Sequence, residues 1–109
     1  MEETITFESD GFQLQGLLHR AGTTGVVVTH PHPLYGGNMY NPVVETITRA
    51  FQQQGFTTLR FDFRGVGNSQ GSYDKCIGEK KDTCQALAYL SQFHNEKLCL
   101  AGYSFGAWV

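Results

Sequence analysis

A serine near the carboxyl end of the chain lies between two glycines, in the run Gly102-Tyr103-Ser104-Phe105-Gly106. On a sharp turn from a strand into a helix, such glycines let the two elements approach closely and leave the serine hydroxyl above the sheet. The N–H groups that begin the helix then face the place where an oxyanion would form. The pattern therefore predicts that Ser104 is a nucleophile for acyl transfer on a turn supported by Gly102 and Gly106. It also predicts the N–H of Phe105 as an oxyanion donor, whereas a glycine turn without a catalytic role is the simpler alternative.

A loop earlier in the chain is rich in histidine, proline and glycine, with the sequence Thr29-His-Pro-His-Pro-Leu-Tyr-Gly-Gly37. An oxyanion hole needs two backbone N–H groups that converge on one point, and a loop of this kind can supply the second. Pro31 and Pro33 have no N–H and make the backbone around them rigid. That leaves the N–H of His32 or of Leu34 as the donor. We favour His32, because it is the second residue after the histidine that ends the preceding strand.

His30 and His32 have the H-x-H spacing that also occurs in metal sites, and either ring could act as a general base. Two histidines are too few ligands for zinc, and no Asp, Glu or Cys lies nearby in the sequence to complete a site. The preferred interpretation is that both rings pack or form hydrogen bonds that shape the loop. We expect neither a metal nor an organic cofactor.

A third loop contains three glycines, in the sequence Asp62-Phe-Arg-Gly-Val-Gly-Asn-Ser-Gln-Gly71. Their spacing is G-x-G-x-x-x-G instead of the G-x-G-x-x-G of dinucleotide-binding loops, and no acidic residue is placed to bind a ribose. We interpret this loop as a structural turn. In it, Asp62 and Arg64 hydrogen-bond loop backbones and order the rim of a site.

The elements that must hold these loops alternate between strands and helices. Asp10-Gly11 suits the positive φ angles of a hairpin turn, and Asn41 followed by Pro42 marks the start of a helix. The patterns predict strands at 4–8, 12–19, 25–30, 56–62 and 97–102, and helices at 42–55 and 77–93. The fold class is α/β, with an antiparallel hairpin that leads into a parallel sheet with crossover helices and ends at the serine turn. All three loops then lie at the carboxyl ends of strands, where ligands bind in such sheets.

Two groups of side chains are assigned to the core or to the surface. The second helix carries one buried stripe, which is formed by Thr83, Ala86, Leu87, Leu90 and Phe93. Glu79, Lys80 and Lys81 are predicted to lie outside this stripe. The three cysteines, Cys76, Cys84 and Cys99, are predicted to be small core or near-core residues.

Length and composition exclude several classes of protein. The chain has 109 residues, 40% of them hydrophobic, and a formal net charge of −2. These values fit one domain with a modest core and exclude a disordered chain, and the balanced charge predicts no nucleic-acid partner. No apolar run is long enough to span a membrane, and the acidic amino terminus is unlike a secretory signal. Three cysteines without a C-x-x-C pair fit a reducing compartment, so we expect a cytoplasmic protein without membrane partners.

The three loops, in this order, resemble the amino-terminal half of an α/β-hydrolase. In particular, the chain is similar to small lidless bacterial hydrolases related to serine aminopeptidases and to Xaa-Pro dipeptidyl-peptidase-like domains. The resemblance implies that Ser104 is the nucleophile and that the N–H groups of Phe105 and His32 form the oxyanion hole. The implied activity is hydrolysis of a small-molecule ester, thioester or amide through an acyl-enzyme on Ser104.

The order of catalytic residues departs from the pattern of this family. Its triad runs Ser, then Asp or Glu, then His along the chain. Here no Asp, Glu or His follows Ser104, and all four histidines precede it. We therefore expect residues 1–109 to be a single incomplete domain that lacks the triad acid and histidine and is inactive by itself. Its substrate is not encoded in these residues, because the substrate pockets of the fold are shaped largely by later segments.

The last predicted strand, at 97–102, has the hydrophobicity of a central strand but no later strand to pair with. An exposed apolar edge of this kind favours self-association or pairing with another chain. The alternative hypothesis is therefore a non-catalytic fragment, or a half-domain that pairs with a partner chain.

Overall fold

The computed structural model describes residues 2–33, 36–93 and 97–102. In chain order, its elements are β1 (Glu3–Ser9), β2 (Phe12–His19), β3 (Thr24–Thr29), α1 (Pro42–Gln53), β4 (Thr57–Phe61), α2 (Ile77–Ser91) and β5 (Lys97–Gly102). Each predicted strand and helix is present, with small differences at its ends. Neither α1 nor α2 is long and apolar enough to cross a membrane.

The five strands form one mixed sheet in the order β1-β2-β4-β3-β5. β1 and β2 are antiparallel with Ser9 opposite Phe12, and the turn between them has positive φ angles of 56° at Asp10 and 83° at Gly11. β2 is also antiparallel to β4, whereas β3 is parallel to both β4 and β5. An antiparallel hairpin therefore leads into a parallel sheet, which confirms the predicted fold class.

Helix α1 covers one face of the parallel strands. It begins after Asn41, whose Oδ1 accepts hydrogen bonds from the first N–H groups of the helix, including that of Val44. Pro42 occupies the first helical turn, where a missing N–H has no cost. Val44 packs with Val26 and Val28 of β3, and all three side chains are completely buried.

Helix α2 covers the opposite face of the sheet. Its Ala86 and Leu90 pack in one cluster with Val27 of β3 and with Leu59 and Phe61 of β4. Because successive side chains of a strand point to opposite faces, β3 faces α1 with two of its valines and α2 with the third. The two helical layers explain why the valine run of β3 is buried throughout.

The prediction that Glu79 lies outside the buried stripe of the second helix is wrong. Its side chain is completely buried, and its carboxylate accepts the N–H of Asp74 at 2.9 Å and the N–H of Cys76 at 3.1 Å. N–H groups at the start of a helix have no acceptor within the helix, and Glu79 supplies one. Backbone hydrogen bonds hold this carboxylate inside, which a pattern of hydrophobicity does not register. Lys80 and Lys81 are exposed, as predicted.

The prediction that all three cysteines belong to the core or its margin is wrong for Cys84, which is exposed. Cys76 and Cys99 are half-buried and pack against the two core clusters. Cys84 follows the buried Thr83 on α2. One residue along a helix is a rotation of about 100°, which carries the Cys84 thiol away from the sheet.

Candidate active site

The carboxyl ends of the parallel strands lie side by side and lead into the glycine-rich loops. In the register between β3 and β5, Thr29 is the partner of Gly102, and the Thr29 hydroxyl donates a hydrogen bond to the carbonyl of Ala101 at 3.3 Å. Gly102, predicted to support the serine turn, is thus beside the end of the strand that leads into His32. The sheet brings two of the predicted site segments to one edge.

The serine turn itself lies outside the described residues. This applies to Ser104, Phe105 and Gly106, and also to Leu34, the alternative oxyanion donor. The predicted roles of these four residues stay predictions. Of the predicted site residues, His32 and Gly102 belong to the described part of the chain.

The ring of His30 joins the loop after β3 to the loop after β4. It is completely buried; its Nδ1 donates a hydrogen bond to the carbonyl of Pro31 at 2.7 Å, and its Nε2 accepts the N–H of Phe63 at 3.1 Å. Burial lowers the pKa of His30 to about 4, although the bond to Pro31 opposes this shift. Because Nε2 is already an acceptor, His30 is a neutral structural residue and not a general base. This geometry matches the interpretation of His30 as a residue that shapes its loop.

His32 is fixed through both its ring and its backbone. Its Nε2 shares a hydrogen bond of 3.1 Å with the hydroxyl of Tyr73, and the two ring centroids are 5.0 Å apart. Its carbonyl accepts the N–H of Gly37 at 3.0 Å, which closes the loop on itself. A side chain at Gly37 would collide with the carbonyl of Pro31, so only glycine permits this closure. The role of the His32 N–H as an oxyanion donor stays a prediction.

Asp62 connects the loop after β4 to the segment that leads into α1. Its Oδ1 accepts the N–H of Met39 at 2.8 Å, while Arg60 donates to the carbonyl of Met39 at 2.9 Å. Its other oxygen faces Gly67, where a Cβ would lie 2.5 Å away. Burial raises the pKa of Asp62, and the Met39 N–H and the charge of Arg60 oppose the shift. Asp62 therefore orders loop backbone, in agreement with its interpretation from the sequence.

The interpretation of Arg64 as a donor to loop backbone is wrong. Its guanidinium donates to the carboxylate of Asp82 on α2, from Nη2 at 2.8 Å and from Nε at 3.2 Å. The backbone N–H of Arg64 donates to the same carboxylate at 3.0 Å. The hydrogen bond from its side chain to Asp82 raises the pKa of Arg64, so the guanidinium is always charged. Gly78 makes the approach possible, because a Cβ there would lie 2.5 Å from the guanidinium carbon.

Asp82 and Tyr73 are residues of this region that the sequence analysis did not select. Asp82 carried a usable signal, since Glu79, Asp82, Ala86 and Leu90 recur at the spacing of one helix face. An acidic residue on a buried stripe requires a buried partner, and Arg64 is that partner. Tyr73 carried no such signal, because nothing in its neighbourhood points to the distant His32.

Within the described ranges, no three His, Cys, Asp or Glu side chains lie close enough together to hold a metal ion. The polar groups at this edge of the sheet hydrogen-bond one another and the loop backbones. What the arrangement provides is a set of loops on adjacent strands whose described residues are joined by hydrogen bonds.

No protein-family model matches the chain. Among curated proteins, it is 46% identical over 85 residues to the uncharacterized protein RP471 of Rickettsia prowazekii (strain Madrid E). The aligned region covers 76% of this chain and 36% of that protein. The chain is also 32% identical over 120 aligned positions to the polyketide transferase claH of Penicillium crustosum. That aligned region covers 98% of this chain and 38% of that protein.

Two solved structures superpose on nearly the whole chain. An α/β serine hydrolase homologue from Coxiella burnetii matches with a TM-score of 0.92 and 38% identity, over 97% of this chain and 53% of its own. XC6422 from Xanthomonas campestris, an α/β serine hydrolase without a lid, matches with a TM-score of 0.93 and 33% identity, over 99% of this chain and 53% of its own.

The sheet, its helices and its loops are the amino-terminal half of an α/β-hydrolase. The two solved structures described above are serine hydrolase homologues, one of them lidless, as the resemblance of the three loops predicted. The chain spans about half the length of these solved relatives and less than two fifths of the curated ones.

Proposed function

We propose that this chain supplies the nucleophile and the oxyanion hole of a serine hydrolase that cleaves small esters, thioesters or amides. The observation that carries the proposal is the pairing of Thr29 with Gly102. The segment that begins the serine turn and the segment that leads to His32 thus leave neighbouring strands at the same edge. Acyl transfer needs a nucleophile and converging N–H donors in this arrangement. The serine hydrolase relatives from Coxiella burnetii and Xanthomonas campestris support the same reaction class.

In the proposed reaction, Ser104 Oγ attacks the carbonyl carbon of the substrate and its proton passes to a general base. The tetrahedral oxyanion accepts hydrogen bonds from the N–H groups of Phe105 and His32. The general base returns this proton to the leaving group, which departs. Water, deprotonated by the same base, then hydrolyses the acyl-enzyme on Ser104, and the base returns that proton to Ser104 Oγ. We place the triad acid and histidine in the half of the fold that the relatives have beyond the matched span, since His30 has no free acceptor nitrogen.

Rigid loops are the contribution of the described residues to this reaction. The His30 ring fixes the loop after β3 to Phe63, Gly37 closes that loop, and Asp62 fixes the backbone of Met39. An oxyanion donor that is held in place before the substrate arrives needs no reorganisation during the reaction. Loss of one such donor typically costs about 100- to 1,000-fold in kcat.

Labelling with a fluorophosphonate probe tests the proposal. The protein is expressed from its gene together with any coding sequence that follows codon 109, and wild type is compared with Ser104→Ala and Ser91→Ala. Ser91 is an exposed serine on α2 and serves as the matched control. We expect rapid labelling of wild type and Ser91→Ala and none of Ser104→Ala. Absence of labelling in a folded wild type, or equal labelling of Ser104→Ala, would refute the proposal.

A half-domain that pairs with a partner chain is the second candidate, and the surface of β5 favours it. Leu98 and Leu100 on this strand are 38% and 50% exposed. Light scattering over a hundredfold range of concentration tests it, with Leu98→Lys/Leu100→Lys as the comparison. A dimer that this double variant abolishes supports the second candidate, whereas a wild type that stays monomeric at every concentration contradicts self-association through β5.

We also propose that the protein works in the cytoplasm. The support is that its three cysteines are free thiols in the structure. Free thiols are typical of reducing compartments, where disulfides do not persist. Fractionation of the native cells with an antibody to the chain tests this location, and recovery from an extracellular or periplasmic fraction would contradict it.

A further inference from the structure

Tyr73 connects the start of α2 to the loop that contains His32. These residues are 41 positions apart in the chain, yet the Tyr73 hydroxyl and His32 Nε2 share a hydrogen bond of 3.1 Å. The two rings also pack together, with centroids 5.0 Å apart and planes inclined at 46°. The contact therefore constrains both the position and the orientation of the His32 ring.

The backbone of Tyr73 is itself held on two sides. Gly65 lies so close that a Cβ there would be 2.7 Å from the Cα of Ser72 and 3.0 Å from the nitrogen of Tyr73. On the other side, the buried carboxylate of Glu79 accepts the N–H of the next residue, Asp74, at 2.9 Å. A side chain that starts from a backbone fixed in this way can position the group that it contacts.

The turn between Tyr73 and α2 is held in an unfavourable conformation. Lys75 and Cys76 have φ angles of 50° and 76°, a left-handed backbone that residues with side chains rarely adopt. Glu79 stabilises this turn through its second oxygen, which accepts the N–H of Cys76 at 3.1 Å. Strained backbone persists where the surrounding structure holds it, often at functional sites.

We propose that Tyr73 is a positioning residue for the oxyanion hole. Its hydroxyl holds the ring of His32, and the ring in turn sets the orientation of the His32 backbone N–H. This inference rests on the proposed function, which gives that N–H its role. Gly37 then bonds the His32 carbonyl, and Tyr73 bonds its ring.

A double-mutant cycle with Tyr73→Phe and His32→Phe tests the proposal. Each change removes one partner of the hydrogen bond, keeps an aromatic ring and leaves the backbone N–H of residue 32 in place. Hydrolysis of p-nitrophenyl acetate is measured on protein expressed with any coding sequence that follows codon 109, for both variants, for the double variant and for Tyr40→Phe. Tyr40 is an exposed tyrosine whose ring lies beneath the guanidinium of Arg60, and it serves as the control.

We expect each single variant to lower kcat about 5-fold with KM unchanged, which corresponds to the loss of one hydrogen bond. The double variant should also lose about 5-fold, and not the roughly 25-fold of two independent effects. Tyr40→Phe should match wild type. A kcat of Tyr73→Phe within 2-fold of wild type, or losses that multiply in the double variant, would overturn the proposal.

The backbone amide signal of His32 in ¹H–¹⁵N NMR spectra separates this inference from the proposed function. The inference requires that Tyr73→Phe shifts this signal and that Tyr40→Phe leaves it unchanged, and an unmoved signal overturns it. If the signal shifts but wild type neither hydrolyses the ester nor reacts with the fluorophosphonate, the link from Tyr73 to His32 stands and the proposed function is wrong.

Discussion

Replacement of Asp82 by alanine tests the ion pair that joins α2 to the loop after β4. The Asp82 side chain is 0% exposed and that of Arg64 is 4% exposed. Two guanidinium nitrogens and the backbone N–H of Arg64 donate to this carboxylate, and Ser9 Oγ donates to it at 2.7 Å. Alanine at position 82 removes the closest acceptor of the buried guanidinium and the acceptor of the buried Ser9 hydroxyl.

The expected loss of stability is large because of this burial. Removal of one partner of a buried ion pair costs about 3–5 kcal/mol, out of a total stability of about 5–15 kcal/mol for a typical domain. Asp10→Asn is the matched control, since Asp10 contacts the same guanidinium at 3.4 Å but is 45% exposed. An exposed pair contributes less than about 1 kcal/mol, and asparagine tolerates the φ of 56° at this position.

Urea unfolding followed by circular dichroism measures both variants. We expect the midpoint of Asp82→Ala to fall far below that of Asp10→Asn, which should stay close to wild type. The double variant Arg64→Met/Asp82→Leu should recover much of the loss, because an apolar pair can replace a buried ion pair. If Asp82→Ala lowers the free energy of unfolding by less than about 1 kcal/mol, the reasoning is refuted, because a loss of that size is expected of an exposed ion pair.

Two further predictions concern the loop after β3. Burial holds the pKa of His30 at about 4, against 6.5 for a free imidazole. Between these values the unfolded chain binds a proton that the folded chain does not, so stability decreases by up to about 3 kcal/mol as the pH falls from 6.5 to 4. His30→Gln should remove that slope in urea unfolding at pH 7 and pH 5, and an unchanged slope would contradict the assignment. Gly37→Ala should lower the free energy of unfolding by about 1–3 kcal/mol more than Gly36→Ala. The Cβ of Gly36→Ala meets open space, so that its cost is the backbone strain of a φ of 79°. Equal losses in urea unfolding would exclude the collision with Pro31.

Local patterns were sufficient to predict the elements of the fold. Asp10-Gly11 marked a turn that has two positive φ angles in the structure, and Asn41-Pro42 marked the start of α1. The valine run of β3 predicted a strand covered on both faces, which α1 and α2 now explain. These signals are local because propensity, capping and turn chemistry act over a few residues.

Predictions about the charged side chains Arg64 and Glu79 were less successful. Arg64 bonds Asp82 instead of loop backbone, and Glu79 is buried instead of exposed. The charge of Arg64 is stabilised by Asp82 on another element. The charge of Glu79 is stabilised by the backbone N–H groups of Asp74 and Cys76, which point at it only in the folded turn. A count of charged residues along a helix face cannot reveal such a partner, because burial and hydrogen bonding are properties of the packed structure.

The sequence by itself predicted the order of strands and helices along the chain, the placement of three loops at one edge of the sheet and the resemblance to α/β-hydrolases. It could do so because glycines, prolines and alternating apolar residues restrict the backbone locally. Only the tertiary structure decided that Gly102 pairs with Thr29, that His30 is a neutral structural residue and that Tyr73 reaches His32. These contacts join residues from separate elements, and their energies arise from burial and hydrogen bonding that exist only after the sheet and helices have packed.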